Sequence, residues 1–372
     1  TATGLLQSGL LPGDRVLIRL GNTVDYPIAY LGAIAAGMVP IPSSPQLTAR
    51  EVDGIIKITE PKLIICGQDI PCPNTTIPIV DADRLRNLRD LPPAPFHWGD
   101  PNRPAYIVFT SGTSGTPRAV VHAHRAIMAR QMMMRDWYDL HEEDRLCHAG
   151  AFNWTYTMGT GLMDPWTMGA TALIPGPGID PSHLPLLLKR HDATLIAAAP
   201  GVFRKLLALE TPLSLPKLRH GFSAGEKLSE TIRNTWRDRT GTELYEAYGM
   251  SECSTFISAA PSRPAAASAL GFAQTGRRLA ILGPDGPVPI GEEGTIAVHQ
   301  TDPGLMLDYL GAEDAMAERM QGEWFLTGDQ ASMAEDGAIS FLGRNDDMMN
   351  AGGYRVSPME VEAVLNAHPE IA

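Results

Sequence analysis

The chain has 372 residues, 44% of them apolar and 19% charged, which is too long for one ordinary core and too apolar for a disordered polymer. Lys and Arg total 30 against 42 Asp and Glu, and the net charge of −12 repels nucleic-acid phosphates and anionic lipid. A phosphate ligand would need a local cluster of donors rather than the overall field. The 4 cysteines, Cys66, Cys72, Cys147 and Cys253, are spaced for neither a zinc site nor a disulfide framework, so a reducing, cytoplasmic setting is expected. The small-apolar stretch from Ala29 to Pro42 is broken by Gly and Pro and too short to span a bilayer, so no integral membrane segment is expected. The start lacks both Met and a signal segment and reads as the cut start of a longer chain.

Arg15–Leu20 reads as a strand and Tyr26–Ala36 as an apolar helix. Thr48-Ala-Arg-Glu51 is a capping box opening the next helix. Strands are expected at Lys62–Cys66, Tyr106–Thr110 and Ala119–His122, followed by a helix over Arg125–Tyr138. The alternation continues through Ala170–Ile174, Leu184–Arg190, Thr194–Ala199, Val202–Leu209, Lys217–Phe222 and Ser229–Arg239. Such alternation predicts an α/β fold of layered parallel sheets with flanking helices. From Gly271 to Arg344 the turns become rich in Pro, Gly and Asp, and Asp336-Gly337 is a hairpin signal between Ala331–Ala334 and Ala338–Leu342. A small antiparallel, β-barrel-like subdomain is expected there. The divisions are 1–270, 271–343, and a hinge with the start of a C-terminal domain at 344–372. A last helix should open at Ser357, with Pro358 at its first position and Glu360 completing a capping box. A helix start so near the end implies that the chain stops inside a further domain.

The loop Thr110-Ser111-Gly112-Thr113-Ser114-Gly115-Thr116-Pro117-Arg118 lies between two expected strands. Its glycines let successive N–H groups converge on an anion, its hydroxyls add neutral donors, and Arg118 adds a guanidinium fork. The pattern is not a Walker A loop, because no Gly-Lys-Ser/Thr follows and the segment leads into a strand. A flexible Ser/Gly linker is the plain alternative, against which the flanking strands argue.

Four later segments add polar residues that a plain core does not need. Gly225, Glu226 and Lys227 follow a strand, where open α/β sheets bind ligands. Glu246-Ala247-Tyr248-Gly249-Met250-Ser251-Glu252 gathers a stacking ring and a carboxylate suited to Mg²⁺ shared with phosphate oxygens. Asp329 ends a strand, where a carboxylate can take a ribose diol. Arg344 to Asp347 and then Gly352, Gly353 and Tyr354 follow the hairpin. Each has a bland alternative: Tyr248 as core, Glu252 as a solvated acid, Asp329 as a turn cap. Their joint order favours function.

In that order the segments resemble the adenylate-forming superfamily of acyl-CoA synthetases, luciferases and adenylation domains. The likeness runs from Leu11-Pro-Gly-Asp-Arg-Val to Ser357-Pro-Met-Glu-Val-Glu. It implies that a carboxylate attacks the α-phosphorus of ATP, pyrophosphate leaves, and a thiol, usually of coenzyme A, displaces AMP. By the same resemblance Thr110 to Arg118 hold the β- and γ-phosphates, Gly225 to Lys227 line the adenine, and Glu246 to Ser251 contact adenine and α-phosphate. Glu252 binds Mg²⁺, Asp329 and Arg344 hold the ribose, Asp346 is the hinge, and Gly352, Gly353 and Tyr354 approach the thiol carrier. Thr110, Arg118, Ser251 and Glu252 are the expected catalytic residues. Arg118 stands where Lys is commoner, Ala119 where Gly is, and Ser251 where Thr is; none removes a required group. The family's catalytic Lys is expected beyond Ala372, and its opening segment before Thr1.

The acid is expected beside Phe152, Asn153, Trp154, Tyr156 and Met158, with Gly225 and Ser251; ordinary core packing carries equal weight for the aromatic residues. No acid stands between Asp144 and Asp164, and Asn153 lies about where amino-acid-activating domains carry Asp. An ammonium group would be left unpaired there, which favours an uncharged tail. The segment most resembles medium-chain and aromatic acyl-CoA synthetases. Two other readings stay open: an adenylation domain loading a carrier-protein thiol, and a non-catalytic nucleotide-binding relative.

Overall fold

The computed structural model describes residues 1–110, 117–266 and 268–345, together with the backbone of 349–351 and 354–356. The helix expected from Ser357 lies outside them. At the N-terminus four parallel strands run in the order Val39–Pro42, Arg15–Arg19, Leu63–Cys66, Ile79–Val80. Val16 and Ile18 pack on one face with Tyr26 and Ala29, while Leu17, Ile41 and Ile64 pack on the other. Both faces are buried, which is why Leu-Ile-Ile-Cys reads as an unbroken apolar run. Helix Ala49–Thr59 opens on the expected box: the Thr48 side chain accepts from the Glu51 amide, and Glu51 accepts from the Thr48 amide at 2.8 Å.

Parallel strands Thr171–Leu173, Arg145–His148, Leu195–Ala198, His220–Ala224 and Glu243–Met250 form one half of a larger sheet. At Ser254–Ser258 the pairing turns antiparallel and continues through Gly271–Ala273, Ala338–Arg344, Trp324–Met333, Glu293–His299 and Leu279–Gly283. The reversal needs a close backbone approach, since a Cβ on Gly249 would collide with the Ser254 carbonyl. The described strands of 271–343 therefore extend an open 13-stranded sheet rather than closing into the expected barrel-like unit.

Three other expectations change. Pro104–Phe109 and Ala119–Ala123 pair antiparallel and carry Asp308–Tyr309 at the edge, so the hydroxyl-rich loop joins a hairpin and not two members of a parallel layer. Cys66 and Cys72 form a disulfide, their Cα atoms 6.3 Å apart, because the chain folds straight back after the Leu63–Cys66 strand. The helix expected to run to Tyr138 is α-helical over Ala126–Met133 and ends in a π turn, Met134–Tyr138. Among the described residues no helix is long and apolar enough to cross a membrane.

The turn after Glu252 is anchored by a wholly buried ion pair. The Arg277 Nη2 lies 2.9 Å from Asp302 Oδ1, with both side chains 0% exposed. Arg277 also donates to the Cys253 and Thr255 carbonyls at 3.0 and 2.7 Å, and Asp302 accepts from the Arg278 and Gly304 amides. Removing the acid strands a guanidinium in the core. Asp302→Ala should therefore lower unfolding free energy by about 3–5 kcal/mol, read as a drop in urea midpoint at unchanged m.

Candidate active site

The ends of the Ser/Thr/Gly loop are pinned to each other. The Thr110 amide donates to the Arg118 carbonyl at 3.0 Å, and the Arg118 amide donates to Thr110 Oγ1 at 3.2 Å. Ser111, Gly112, Thr113, Ser114, Gly115 and Thr116 lie outside the described residues; Pro117 is exposed. The Arg118 guanidinium sits 5.2 Å from the centre of the Tyr309 ring, a cation–π distance.

Tyr309 leads directly to Glu252. Its hydroxyl donates to Glu252 Oε1 at 2.6 Å, and Arg319 Nη1 lies 3.2 Å from the same oxygen. Burial and the adjacent carboxylate push the Tyr309 phenol up to about 12, so it stays a donor. Glu252 is buried, and its carbonyl accepts from the Met306 amide at 2.7 Å. Among the described residues no three His, Cys, Asp or Glu side chains gather in a cluster that could hold a metal. Neither Tyr309 nor Arg319 was singled out by sequence, since neither stands in a polar motif and each meets Glu252 only through the fold.

Tyr248 and Asp329 come together across the sheet, the Tyr248 hydroxyl donating to Asp329 Oδ2. Arg344 pairs with Asp329 in cross-strand register, its Nε 3.7 Å from Oδ1. Burial pushes the Asp329 carboxyl up against the lowering effect of Tyr248, Arg344 and Arg319. The Tyr248 ring packs against Phe256 and Phe341.

Glu246 is turned inward. It accepts from the Leu228 amide at 2.9 Å and sits 3.1 Å from Lys227 Nζ and 3.2 Å from Arg233 Nη2, so it ties the Gly225–Lys227 loop to the sheet. Ala247 is core, Glu226 is exposed, and Gly249, Met250 and Ser251 are partly buried. The Ser251 carbonyl meets His122 Nε2 at 2.7 Å. Gly225 has φ +97°, and a Cβ there would lie 2.8 Å from the Trp154 indole. Tyr354 stands on a short strand paired with Met349–Ala351; Gly352 and Gly353 lie outside the described residues.

The expected acid pocket divides. Asn153 and Trp154 are partly exposed, Trp154 beside the Gly225 loop, whereas Phe152 and Met158 are packed in the N-terminal core with Tyr26. Tyr156 is buried against Trp137, its hydroxyl donating to the Phe222 carbonyl at 3.3 Å.

The pattern of the AMP-binding enzyme family matches residues 1–310. The chain belongs to this family. It is 31% identical over 388 residues to acyl-coenzyme A synthetase ACSM5, mitochondrial, of Mus musculus, a match covering 98% of this chain and 67% of that protein. Acyl-coenzyme A synthetase ACSM3, mitochondrial, of Homo sapiens is 28% identical, with 97% of this chain and 66% of that one covered. The chain thus spans about two thirds of the length of these relatives. Among solved structures, the anthranilate CoA ligase AuaEII in complex with anthranoyl-AMP superposes with a TM-score of 0.89 at 25% identity, covering 99% of this chain and 75% of that one. ATP-bound MatB from Rhodopseudomonas palustris shares the fold, with a TM-score of 0.89 at 24% identity over 99% of this chain and 76% of that one.

Two buried histidines in the AMP-binding region make its stability depend on pH. Burial pushes His122 down to about 4 and His148 down to about 3 from an ordinary value of 6.5, so both are neutral when folded. Unfolded, both bind protons below about pH 6.5. Through that window the unfolded chain holds more protons than the folded one, and stability falls as pH falls. Urea titrations should show a steady loss of unfolding free energy from about pH 6.5 to about pH 4, with a shallower slope for His148→Gln.

Proposed function

We propose that this AMP-binding enzyme activates an organic acid with an uncharged tail, using ATP to form an acyl-adenylate, and passes the acyl group to coenzyme A. The observation that carries the reading is the Arg118–Tyr309–Glu252–Arg319 chain at the foot of the loop hairpin. It brings two cations and a buried carboxylate to where a loop of N–H and hydroxyl donors begins. The names of the relatives, acyl-coenzyme A synthetases and an anthranilate CoA ligase, support the same reaction class.

The chemistry balances as two displacements. A carboxylate oxygen of the acid forms a bond to the α-phosphorus, and pyrophosphate leaves with the electrons of the α–β bridge. The thiol sulfur then bonds the acyl carbon, its proton goes to solvent or a base, and AMP leaves. No base is needed for the first step, because a carboxylate is ionised at neutral pH. Alignment and charge neutralisation do the work.

Thr110 and Arg118 position the outer phosphates, and Asp329 with Arg344 takes the ribose hydroxyls beside the Tyr248 ring. The residues fit Mg²⁺ in the way that phosphate-bound Mg²⁺ is usually held, by one protein carboxylate together with substrate oxygens and water. Glu252 would hold the ion, which when bound supplies charge neutralisation on the phosphates. Asn153 and Trp154 border the acid, and the lack of a carboxylate on their loop selects a tail without charge, medium-chain or aromatic.

The full-length protein should catalyse exchange of labelled pyrophosphate into ATP only when an acid is present, with octanoate or benzoate exceeding acetate. Glu252→Gln should lower that exchange on the order of 10²-fold while the protein remains folded. Acid-independent exchange, or ADP as the product, would overturn the proposal.

A further inference from the structure

The loop that presents Asn153 and Trp154 is held from the N-terminal sheet. Asn22 stands in the turn between the Arg15–Arg19 strand and the Asp25–Ala35 helix. Its Nδ2 donates to the Gly150 carbonyl at 2.7 Å, and its Oδ1 accepts from the Phe152 amide at 3.0 Å. One orientation of the amide satisfies both bonds, and the reverse orientation satisfies neither. One helical turn on, the Tyr26 hydroxyl donates to the Phe152 carbonyl at 2.8 Å, and the two rings pack 5.1 Å apart. Within the loop the Gly150 amide donates to His148 Nδ1 at 3.1 Å, and the Trp154 amide donates to the Ala151 carbonyl at 3.0 Å.

Three of these hydrogen bonds, and the Tyr26–Phe152 ring contact, cross from residues 22 and 26 to residues 150 and 152. They fix the backbone immediately before Asn153 and Trp154, of which Trp154 borders Gly225. The Trp154 indole lies close enough to Gly225 that a Cβ there would come within 2.8 Å of it.

We propose that Asn22 is a positioning residue for acid selection, clamping residues 150–152 so that Asn153 holds its place and Trp154 stays against Gly225. The inference rests on the reading that these two residues border the acid. An amide suits the task because it offers a donor and an acceptor side by side, as a neighbouring strand would. Asp of the same size would keep the acceptor, lose the donor, and set a carboxylate against the Gly150 carbonyl. A clamp that acts on one substrate pocket should move the acid's kinetic parameters and leave those of the nucleotide alone.

The test compares Asn22→Asp, Tyr26→Phe and Trp154→Ala in the full-length enzyme, with octanoate and benzoate as acids. Asn22→Asp should raise acid KM about tenfold and shift the octanoate-to-benzoate ratio of kcat/KM, with KM for ATP within about twofold of wild type. Tyr26→Phe, which deletes one oxygen from a ring that stays packed, should act in the same direction with a smaller effect. It decides the matter if Asn22→Asp does not fold. Folded variants that change neither the acid KM nor the ratio, or that change the acid and ATP terms by one common factor, overturn the clamp. Trp154→Ala separates this outcome from the underlying reading. If it leaves acid kinetics unaltered, the acid does not lie on this loop. If it alters them while Asn22→Asp and Tyr26→Phe are silent, the clamp alone fails.

Discussion

Two anions repel, and an acid can meet a triphosphate only where positive charge is concentrated. On a chain with a net charge of −12 that concentration must be built locally. In the proposed reading it is drawn from guanidinium groups, each held by a neutral or anionic neighbour: Arg118 over the Tyr309 ring, Arg319 facing the Glu252 carboxylate, Arg344 facing the Asp329 carboxylate. Guanidinium suits this use because it stays charged and its planar fork can stack and donate together. Tyr309 ties two of these positions together, its face toward Arg118 and its hydroxyl on Glu252.

That arrangement depends on one sheet changing its pairing from parallel to antiparallel. Tyr248 comes from the last parallel strand, Asp329 and Arg344 from the antiparallel half, and they meet because Ser254–Ser258 and Gly271–Ala273 join the halves without a break. The Arg277–Asp302 pair fixes the same turn from below through the Cys253 and Thr255 carbonyls. Stability and site geometry therefore share parts: the core ion pair holds the carbonyl of Cys253, the residue that follows Glu252.

Much of this was legible in the sequence wherever a local rule applies. The Thr48 box, the doubly buried Leu63–Cys66 strand and the Asp336-Gly337 hairpin each form where residue chemistry places them. The strands Arg145–His148 and Glu243–Met250 were not expected, because polar and site residues interrupt their apolar pattern. The order of polar motifs pointed to the family without any structure. Phe152 and Met158 could not be sorted from Trp154 by type, since an aromatic or thioether side chain fits a core and a pocket equally well. Arg319 and Asn22 were invisible for another reason. Their partners lie 67 and 128 residues away, and nothing in the local sequence of either announces the contact.

The central claim is that the acid's own oxygen attacks the α-phosphorus of ATP. It is tested most directly by giving the full-length enzyme a carboxylate labelled with ¹⁸O and collecting the products after thiol transfer. The account predicts that one labelled oxygen appears in the phosphate of AMP and none in pyrophosphate. Label in pyrophosphate or inorganic phosphate, or AMP carrying no label, would contradict it.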